Sequence, residues 1–386
     1  MPPDTTTLLR DLVALPSVNP MGRAVQGPEY FEARTADYLE RFFRGLGVSV
    51  ERQTVAPGRD NILARYNSPG ATHTLLLEAH QDTVPVDGMT IEPFGAKIAG
   101  GRLYGRGACD IKGGTAAMLA AFARLAREKP RGAMNVVVAC TVDEEFTFLG
   151  VQELVKRGVR ADFAVVAEPT QLNIVNAHKG VARLVLTTPG RACHSSAPEQ
   201  GVNAVYRMGR VVAGVERFAA KLRASRSDPL LGPPTLSVGR IEGGVSVNTV
   251  PDFCRIEIDR RVIPGEDPAS WAAELEAFLR TEAGIDFEFD CPRPWMSMPA
   301  LSPVGSDDIA RRLGTAIDAV TGSHRVMPVP YGTDASTIAK AGIPAVVFGP
   351  GDIAQAHTKD EWVDLAEVER AAEILFRLCA SERLAG

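Results

Sequence analysis

Residues 75–82 read Leu75-Leu76-Leu77-Glu78-Ala79-His80-Gln81-Asp82. A short apolar run stops abruptly at residue types that bind metals. The same event occurs three more times. Val136-Val137-Val138-Ala139 leads to Asp143-Glu144-Glu145, and Phe163-Ala164-Val165-Val166 leads to Glu168. Ala345-Val346-Val347-Phe348 leaves through Gly349-Pro350-Gly351 towards His357. Strands that are apolar on both faces belong in the middle of a helix-covered sheet, usually a largely parallel one. In such an open α/β sheet, ligands bind in the crevice beyond the carboxyl ends of the strands. Asp110, in Gly105-Arg106-Gly107-Ala108-Cys109-Asp110, joins the set from a glycine-rich turn.

Taken singly, a histidine after a strand is usually a hydrogen-bonded loop residue, and Asp-Glu-Glu is usually a solvated turn or helix start. As a set they are harder to dismiss, because each terminates an apolar strand. Two imidazoles with several carboxylates suit zinc or a similar divalent ion. If two ions lie about 3.5 Å apart, one carboxylate should bridge them and a spare one should be free as a base.

Working outward, Leu39, Phe42, Phe43 and Leu46 recur at helical spacing, with Gly47 placed to close the helix. Met118, Leu119, Phe122 and Leu125 mark a helix between the first two strands. The texture changes at residues 178–291. There a strand (182–188), a helix (203–222), two strands (235–241 and 254–262), a helix (268–283) and a strand (286–290) follow in the ferredoxin-like order β-α-β-β-α-β. Afterwards the α/β texture resumes with a helix over 307–320, for which Ser306 is the expected N-cap. The fold class expected is therefore α/β. Residues 1–177 and 292–386 form a mostly parallel-sheet catalytic, metal-binding domain, and residues 178–291 form an inserted α+β lid.

Composition narrows the partners. The 386 residues are 45% hydrophobic with a net charge of -5, enough for sizeable cores and without the basic footprint of a nucleic-acid binder. The N-terminal stretch lacks the pattern of a signal peptide, and no apolar run reaches a membrane span. Six scattered cysteines contain no C-x-x-C pair, which fits reduced thiols in the cytoplasm.

The motifs also carry a resemblance. His80-Gln81-Asp82-Thr83-Val84-Pro85 is similar to the first signature of the M20 metallopeptidases, and Gly105-Arg106-Gly107 with Asp110, Lys112, Gly113 and Gly114 is similar to the second. Asp143-Glu144-Glu145, Ala167-Glu168-Pro169 and Gln355-Ala356-His357 with Asp360-Glu361 resemble the rest, in register along nearly the whole chain. The resemblance implies a catalytic domain of the zinc aminopeptidase type holding two divalent ions, zinc first, with cobalt or manganese as alternatives. It implies one ion on His80, Asp110 and Glu168 and the other on Asp110, Glu145 and His357, with Asp110 bridging. It implies that Asp82 fixes the tautomer of His80 and that Glu144 is the general base, exchanging a proton between the attacking water and the leaving amine.

In the lid, His194 in His194-Ser195-Ser196 resembles the family histidine that reaches a dimer mate's active site; a surface-loop histidine is the plainer reading. Asn248, before Thr249-Val250-Pro251, resembles a substrate-contacting asparagine or is a turn residue. Gly332, in Tyr331-Gly332-Thr333-Asp334, resembles part of a substrate loop, where a plain helix N-cap is the alternative. In Asp259-Arg260-Arg261 the family register selects Arg261 as the receptor for a substrate carboxylate, and strand alternation allows only one of the two arginines into the site.

Phe348 to His357 and Asp259 to Gly265 look most like the acetylornithine deacetylase and desuccinylase branch, whereas Thr333-Asp334 is closer to the glutamate carboxypeptidase branch. The expectation is a cytoplasmic amidohydrolase acting on an N-acyl amino acid or short peptide, a homodimer through the lid, with no nucleic-acid or membrane partner. A carboxypeptidase or dipeptidase is the alternative within the family. A non-catalytic metal- or peptide-binding relative is the alternative outside enzymology.

Overall fold

The structure is a computed structural model that describes residues Asp4 to Glu382. In chain order it runs through α1 (Thr5–Val13), α2 (Ala33–Gly45), β1 (Ser49–Ala56), β2 (Arg59–Tyr66), β3 (Thr74–His80), β4 (Lys97–Ala99), β5 (Arg102–Tyr104), α3 (Gly113–Glu128), β6 (Asn135–Thr141), α4 (Leu149–Lys156), β7 (Phe163–Val166) and β8 (Ile174–His178). It continues with β9 (Gly180–Pro189), α5 (Ala204–Ser225), β10 (Thr235–Gly243), β11 (Phe253–Val262), α6 (Trp271–Thr281) and β12 (Met296–Met298). It closes with α7 (Asp307–Thr321), β13 (Val326–Val329), α8 (Ala335–Lys340), β14 (Ala345–Val347), β15 (Trp362–Asp364) and α9 (Leu365–Ala380). Two compact units result. The first comprises 1–176, 303–327 and 333–386; the second comprises 177–302 and 328–332.

In the first unit the four apolar runs are neighbours in the order β6-β3-β7-β14, all parallel. Antiparallel strands flank them, β2 and β1 beyond β6 and β8 beyond β14. Side-chain alternation sends Leu75, Leu77 and Ala79 of β3 into one large cluster with Leu119 and Phe122 of α3, Leu39 and Phe43 of α2, and Leu375 of α9. Leu76 points to the opposite face and is equally buried. Gly47 ends α2 as expected: at φ +71° it takes the left-handed position, and its N–H donates to the carbonyl of Arg44 at 3.0 Å. Because the central strands are parallel, their carboxyl ends share one edge. The consequence is that a side chain placed just after each strand must meet the others there.

The second unit is a four-stranded antiparallel sheet in the order β10-β11-β9-β12. Numbered along the chain, that is second-third-first-fourth, the ferredoxin-like arrangement. Leu184 and Leu186 of β9 and Ile256 and Ile258 of β11 pack on Val211, Val215 and Phe218 of α5 and on Trp271 and Leu275 of α6. Asn203 caps α5, its side chain accepting from the N–H of Tyr206 at 3.0 Å.

Three expectations need correction. The fourth lid strand is Met296–Met298, not 286–290. Only Asp290 of that segment bridges to β9, at Thr187, and the prolines at 292 and 294 lack the N–H needed to continue the ladder. For the same reason the second unit extends to Ser302 rather than to 291. Ser306 does occupy the N-cap position of α7, but its hydroxyl donates back to the carbonyl of Pro303 at 2.8 Å and caps nothing.

Phe122 is fully buried and meets Phe43 edge-on at 5.6 Å between ring centroids. Phe122→Ala is expected to destabilise the first unit by about 3–5 kcal/mol. A urea titration monitored by circular dichroism would detect it as an earlier midpoint; an unchanged midpoint would mean that this cluster does not hold the sheet to its helices.

Candidate metal centre

Five segments converge at the carboxyl edge of the parallel strands. His80 ends β3, Asp143-Glu144-Glu145 follows β6, Glu168 follows β7, and His357 lies in the loop after β14. Asp110 sits in a single wide helical turn, Ala108–Lys112, that opens α3. Its two carboxylate oxygens face opposite ways: Oδ1 lies 3.2 Å from Nε2 of His80, and Oδ2 lies 3.2 Å from Nε2 of His357. Oε2 of Glu145 is 3.3 Å from the same His357 nitrogen, and Oε1 of Glu168 is 4.0 Å from Nε2 of His80. Donor atoms of His80, Asp110 and Glu145, and separately of His80, Glu144 and Glu168, lie within 4.8 Å of one another. Asp110 thus has the disposition of a bridging carboxylate, and Glu144 stands beside the His80–Glu168 side of the cluster.

The electrostatics fit a cationic guest. Burial, reinforced by repulsion from Glu168, Glu145 and Asp110, holds the Glu144 carboxyl well above the ordinary range. Burial and the charge of Asp110 do the same to Glu168, and they push Glu145 up to about 7. The hydrogen bond to Asp110, followed by that to Glu145, pushes His357 up to about 11. Two unit charges 4 Å apart repel by about 4 kcal/mol at an effective dielectric of about 20. Four carboxyls crowded against two imidazoles therefore favour added positive charge. Oε1 of Glu145 is buried without a hydrogen-bond partner. A divalent ion satisfies both demands, and the mixed His/carboxylate donor set is of the kind zinc accepts.

Asp82 behaves differently from expectation. The Nδ1 of His80 lies 2.9 Å from the backbone oxygen of Asp82, while the Asp82 carboxylate is 3.6 Å away. It is the carbonyl that orients the imidazole. The carboxylate is occupied elsewhere: it accepts from the backbone N–H groups of Glu144 and Glu145, at 3.1 and 3.2 Å, and from Asn19 at 2.8 Å. Asp82 therefore fixes a ligand through its main chain and the Glu144-Glu145 pair through its side chain.

Sequence reading missed the supports behind that pair. Asn19 also donates to Asp143 at 2.9 Å, and Nη1 of Arg59 donates to Asp143 at 2.6 Å. The rest of the Arg59 guanidinium forks onto Glu32, with the ring of Phe31 5.4 Å away. These groups hold Asp143 in the left-handed region at φ +67°, the turn that swings Glu144 and Glu145 over the strand ends. Their partners are 27 to 124 residues apart in sequence, so no local pattern announces them. Behind β3 and β6, the Thr141 hydroxyl donates to Glu78 at 2.6 Å and lies 3.2 Å from Asp334. Asp334 is thus a buried partner of the sheet end and makes no side-chain cap on α8; the Thr333 hydroxyl accepts from the N–H of Ala335 instead.

The remaining predicted residues belong to the second unit. Arg260 is 1% exposed, donates to Glu266 at 2.7 Å and lies over the Trp271 ring, so its guanidinium belongs to the core beneath α6. Arg261 faces the other side of β11, half-buried and paired with Asp259 at 2.8 Å. His194 and Asn248 are exposed on adjoining loops: His194 bridges to Thr249, and the N–H of Ser195 donates to the carbonyl of Asn248 at 3.1 Å. Gly332 lies against the chain at Lys179, whose carbonyl a Cβ at this position would meet at 3.2 Å.

Comparison with known proteins shows the family and the fold. The model of a family described as peptidase family M20/M25/M40 matches residues 76–381. The acetylornithine deacetylase of Myxococcus xanthus is 32% identical over 356 residues, covering 89% of this chain and 90% of its own. Among solved structures, an M20 family metallo-carboxypeptidase, Sso-CP2 from Sulfolobus solfataricus, superposes with a TM-score of 0.80 at 20% identity, over 98% of this chain and 99% of its own. The Bacillus subtilis YXEP protein, described as a dinuclear metal-binding peptidase, gives a TM-score of 0.70 at 16% identity, over 97% and 96%.

Since Asp82 holds the backbone of both glutamates, replacing one side chain should leave the other in place. Glu144→Gln is expected to retain both metal equivalents by elemental analysis and to lose about 10²–10⁴-fold in kcat. Loss of one equivalent would exchange the roles of Glu144 and Glu145.

Proposed function

Because the chain belongs to peptidase family M20/M25/M40 and is a metal-dependent hydrolase, we propose that it cleaves the amide bond of an N-acyl amino acid, as a deacylase of the acetylornithine deacetylase type. The observation that carries the reading is Asp110, with one oxygen towards each imidazole and Glu144 beside it. We assign His80, Asp110 and Glu168 to one ion and Asp110, Glu145 and His357 to the other, with zinc first and cobalt or manganese as alternatives. When bound, such ions supply Lewis acidity to the scissile carbonyl and to water. Glu144 takes the proton of the attacking water and returns it to the leaving amine, a task suited to a carboxyl whose pKa burial and neighbouring acids have raised. The Asp82 carboxylate keeps that carboxyl in register by accepting from the backbone N–H of Glu144.

Substrate selection is assigned to the second unit, with Arg261 receiving the α-carboxylate and Asn248, Gly332 and His194 as further contacts. Burial of Arg260 supports Arg261 as the available fork. A carboxypeptidase or dipeptidase activity is the second reading, favoured by the Thr333-Asp334 loop. No helix among the described residues is long and apolar enough to cross a membrane. We place the enzyme in the cytoplasm, in keeping with six free cysteines.

We also propose a homodimer through the lid, in which His194 serves the partner's site. Support comes from β10, an outer strand of the sheet, and from exposed Tyr206, Val245 and Val247 beside it. Sedimentation should give a dimer, and His194→Ala mixed with Glu144→Gln should recover activity that neither variant has alone. A fully active monomer would reject the assembly.

The substrate reading is tested with N-acetylornithine, its carboxamide and a panel of dipeptides. The free acid should be hydrolysed best. Capping the carboxylate should cost about 10- to 100-fold in kcat/KM, since a hydrogen bond to a charged group contributes about 1.5–3 kcal/mol. Arg261→Lys should restore little of an Arg261→Ala loss, because a single ammonium lacks the fork. Equal rates on acid and amide would end the carboxylate-anchor account, and faster turnover of dipeptides would favour the peptidase reading.

A further inference from the structure

The bridging role of Asp110 demands a fixed backbone, yet Asp110 lies in a turn rather than in a strand or regular helix. One buried carboxylate gathers that turn. Oε1 of Glu361 accepts from the N–H of Cys109 at 2.8 Å and from that of Asp110 at 3.0 Å. Oε2 accepts from the N–H of Gly107 at 3.2 Å and from Nη1 of Arg106 at 2.6 Å. The carbonyl of Glu361 accepts from the N–H of Gly105 at 3.0 Å, and the next residues pair as β15 with β5. Glu361 is completely buried. Gly107 permits the wrap: its φ is +83°, and a Cβ there would come within 2.7 Å of the Thr83 side chain.

Glu361 lies four residues after His357. A single side chain therefore ties the segment that carries Asp110 to the segment that carries His357. A buried carboxylate is costly unless it is paired and hydrogen-bonded, and charge-assisted bonds of this kind are about twice as strong as neutral ones. The four donors around Glu361 meet that condition only in the observed conformation of the turn. We propose that Glu361, neutralised by Arg106, is a positioning residue that preforms the ion position made by Asp110, Glu145 and His357, two of whose ligands lie on the segments it ties, and acts less on the position made by His80, Asp110 and Glu168, where it reaches only the shared Asp110. This proposal rests on the two-ion reading of the site.

The test is a zinc titration by calorimetry of the metal-stripped full-length chain, wild type against Glu361→Gln, with thermal scans of both. Glutamine keeps the shape but turns an NH2 towards N–H groups that need an acceptor. One equivalent should bind within a few-fold of wild type and the second about 10- to 100-fold more weakly, the usual effect of removing a group that orients a metal ligand. Turnover at limiting zinc should fall, recover with excess zinc, and leave KM unchanged. Should Glu361→Gln fail to fold, Arg106→Lys, which keeps the charge but replaces the planar guanidinium that donates Nη1 to Glu361, should show the same selective weakening in milder form. Unchanged binding of both equivalents, or equal weakening of both without rescue by zinc, would overturn the proposal. A wild-type chain that takes up only one equivalent would instead refute the two-ion reading on which it stands.

Discussion

Everything at the centre is arranged around a repulsion. Asp110, Glu144, Glu145 and Glu168 are gathered in a buried pocket at the ends of parallel strands, where water cannot screen them. Parallel pairing brings Glu144, Glu145 and Glu168 to one edge of the sheet, and the turn that opens α3 adds Asp110. The two imidazoles hold the Asp110 carboxyl below its ordinary range by hydrogen bonding to it, but Glu144, Glu145 and Glu168 remain shifted upward by burial. A fold that concentrates acids in this way is suited to a cation, and each oxygen of Asp110 lies beside a different imidazole, which is the ground for proposing two positions.

Holding like charges together also requires a rigid frame, and the frame is a further set of buried charges with one amide. Behind Glu144 and Glu145 lie Asp82, Asn19, Asp143, Arg59 and Glu32; behind Asp110 lie Glu361 and Arg106. The frame carboxylates are spent on neighbours of their own: Asp82 and Glu361 on backbone N–H groups, Glu32 on the Arg59 fork, and Asp143 on Asn19 and Arg59. Ligand carboxylates keep their oxygens for the site, as the unpartnered Oε1 of Glu145 illustrates. The division between acids held by the frame and acids that face the cluster is the main organising feature of the first unit.

Much of this was legible in the sequence, for identifiable reasons. Apolar runs that end in His, Asp or Glu report both the sheet and the site, because burial on two faces and ligand placement leave marks at consecutive positions. The choice between Arg260 and Arg261 was narrowed by strand alternation, and the buried Arg260 follows that rule. Other features left no local mark. The links from Asn19, Glu32 and Arg59 to Asp143 exist only once distant segments are folded together. The carboxylate of Asp82 was read as the partner of His80, yet its neighbours draw it towards the amides of residues 144 and 145 while its carbonyl takes the imidazole. The last lid strand was misplaced because Phe287 and Phe289 alternate as a strand would. They do reach the lid core, but Arg280 takes the carbonyl of Phe287 at 2.6 Å and the ladder is completed by Met296–Met298 beyond the prolines.

The central claim is that the opposed oxygens of Asp110 define two cation positions, and anomalous diffraction at the zinc edge from crystals grown with zinc tests it most directly. The account predicts two peaks about 3.5 Å apart, one against His80 and Glu168 and one against Glu145 and His357, with Asp110 between them. A single peak, or two peaks that Asp110 does not bridge, would contradict it.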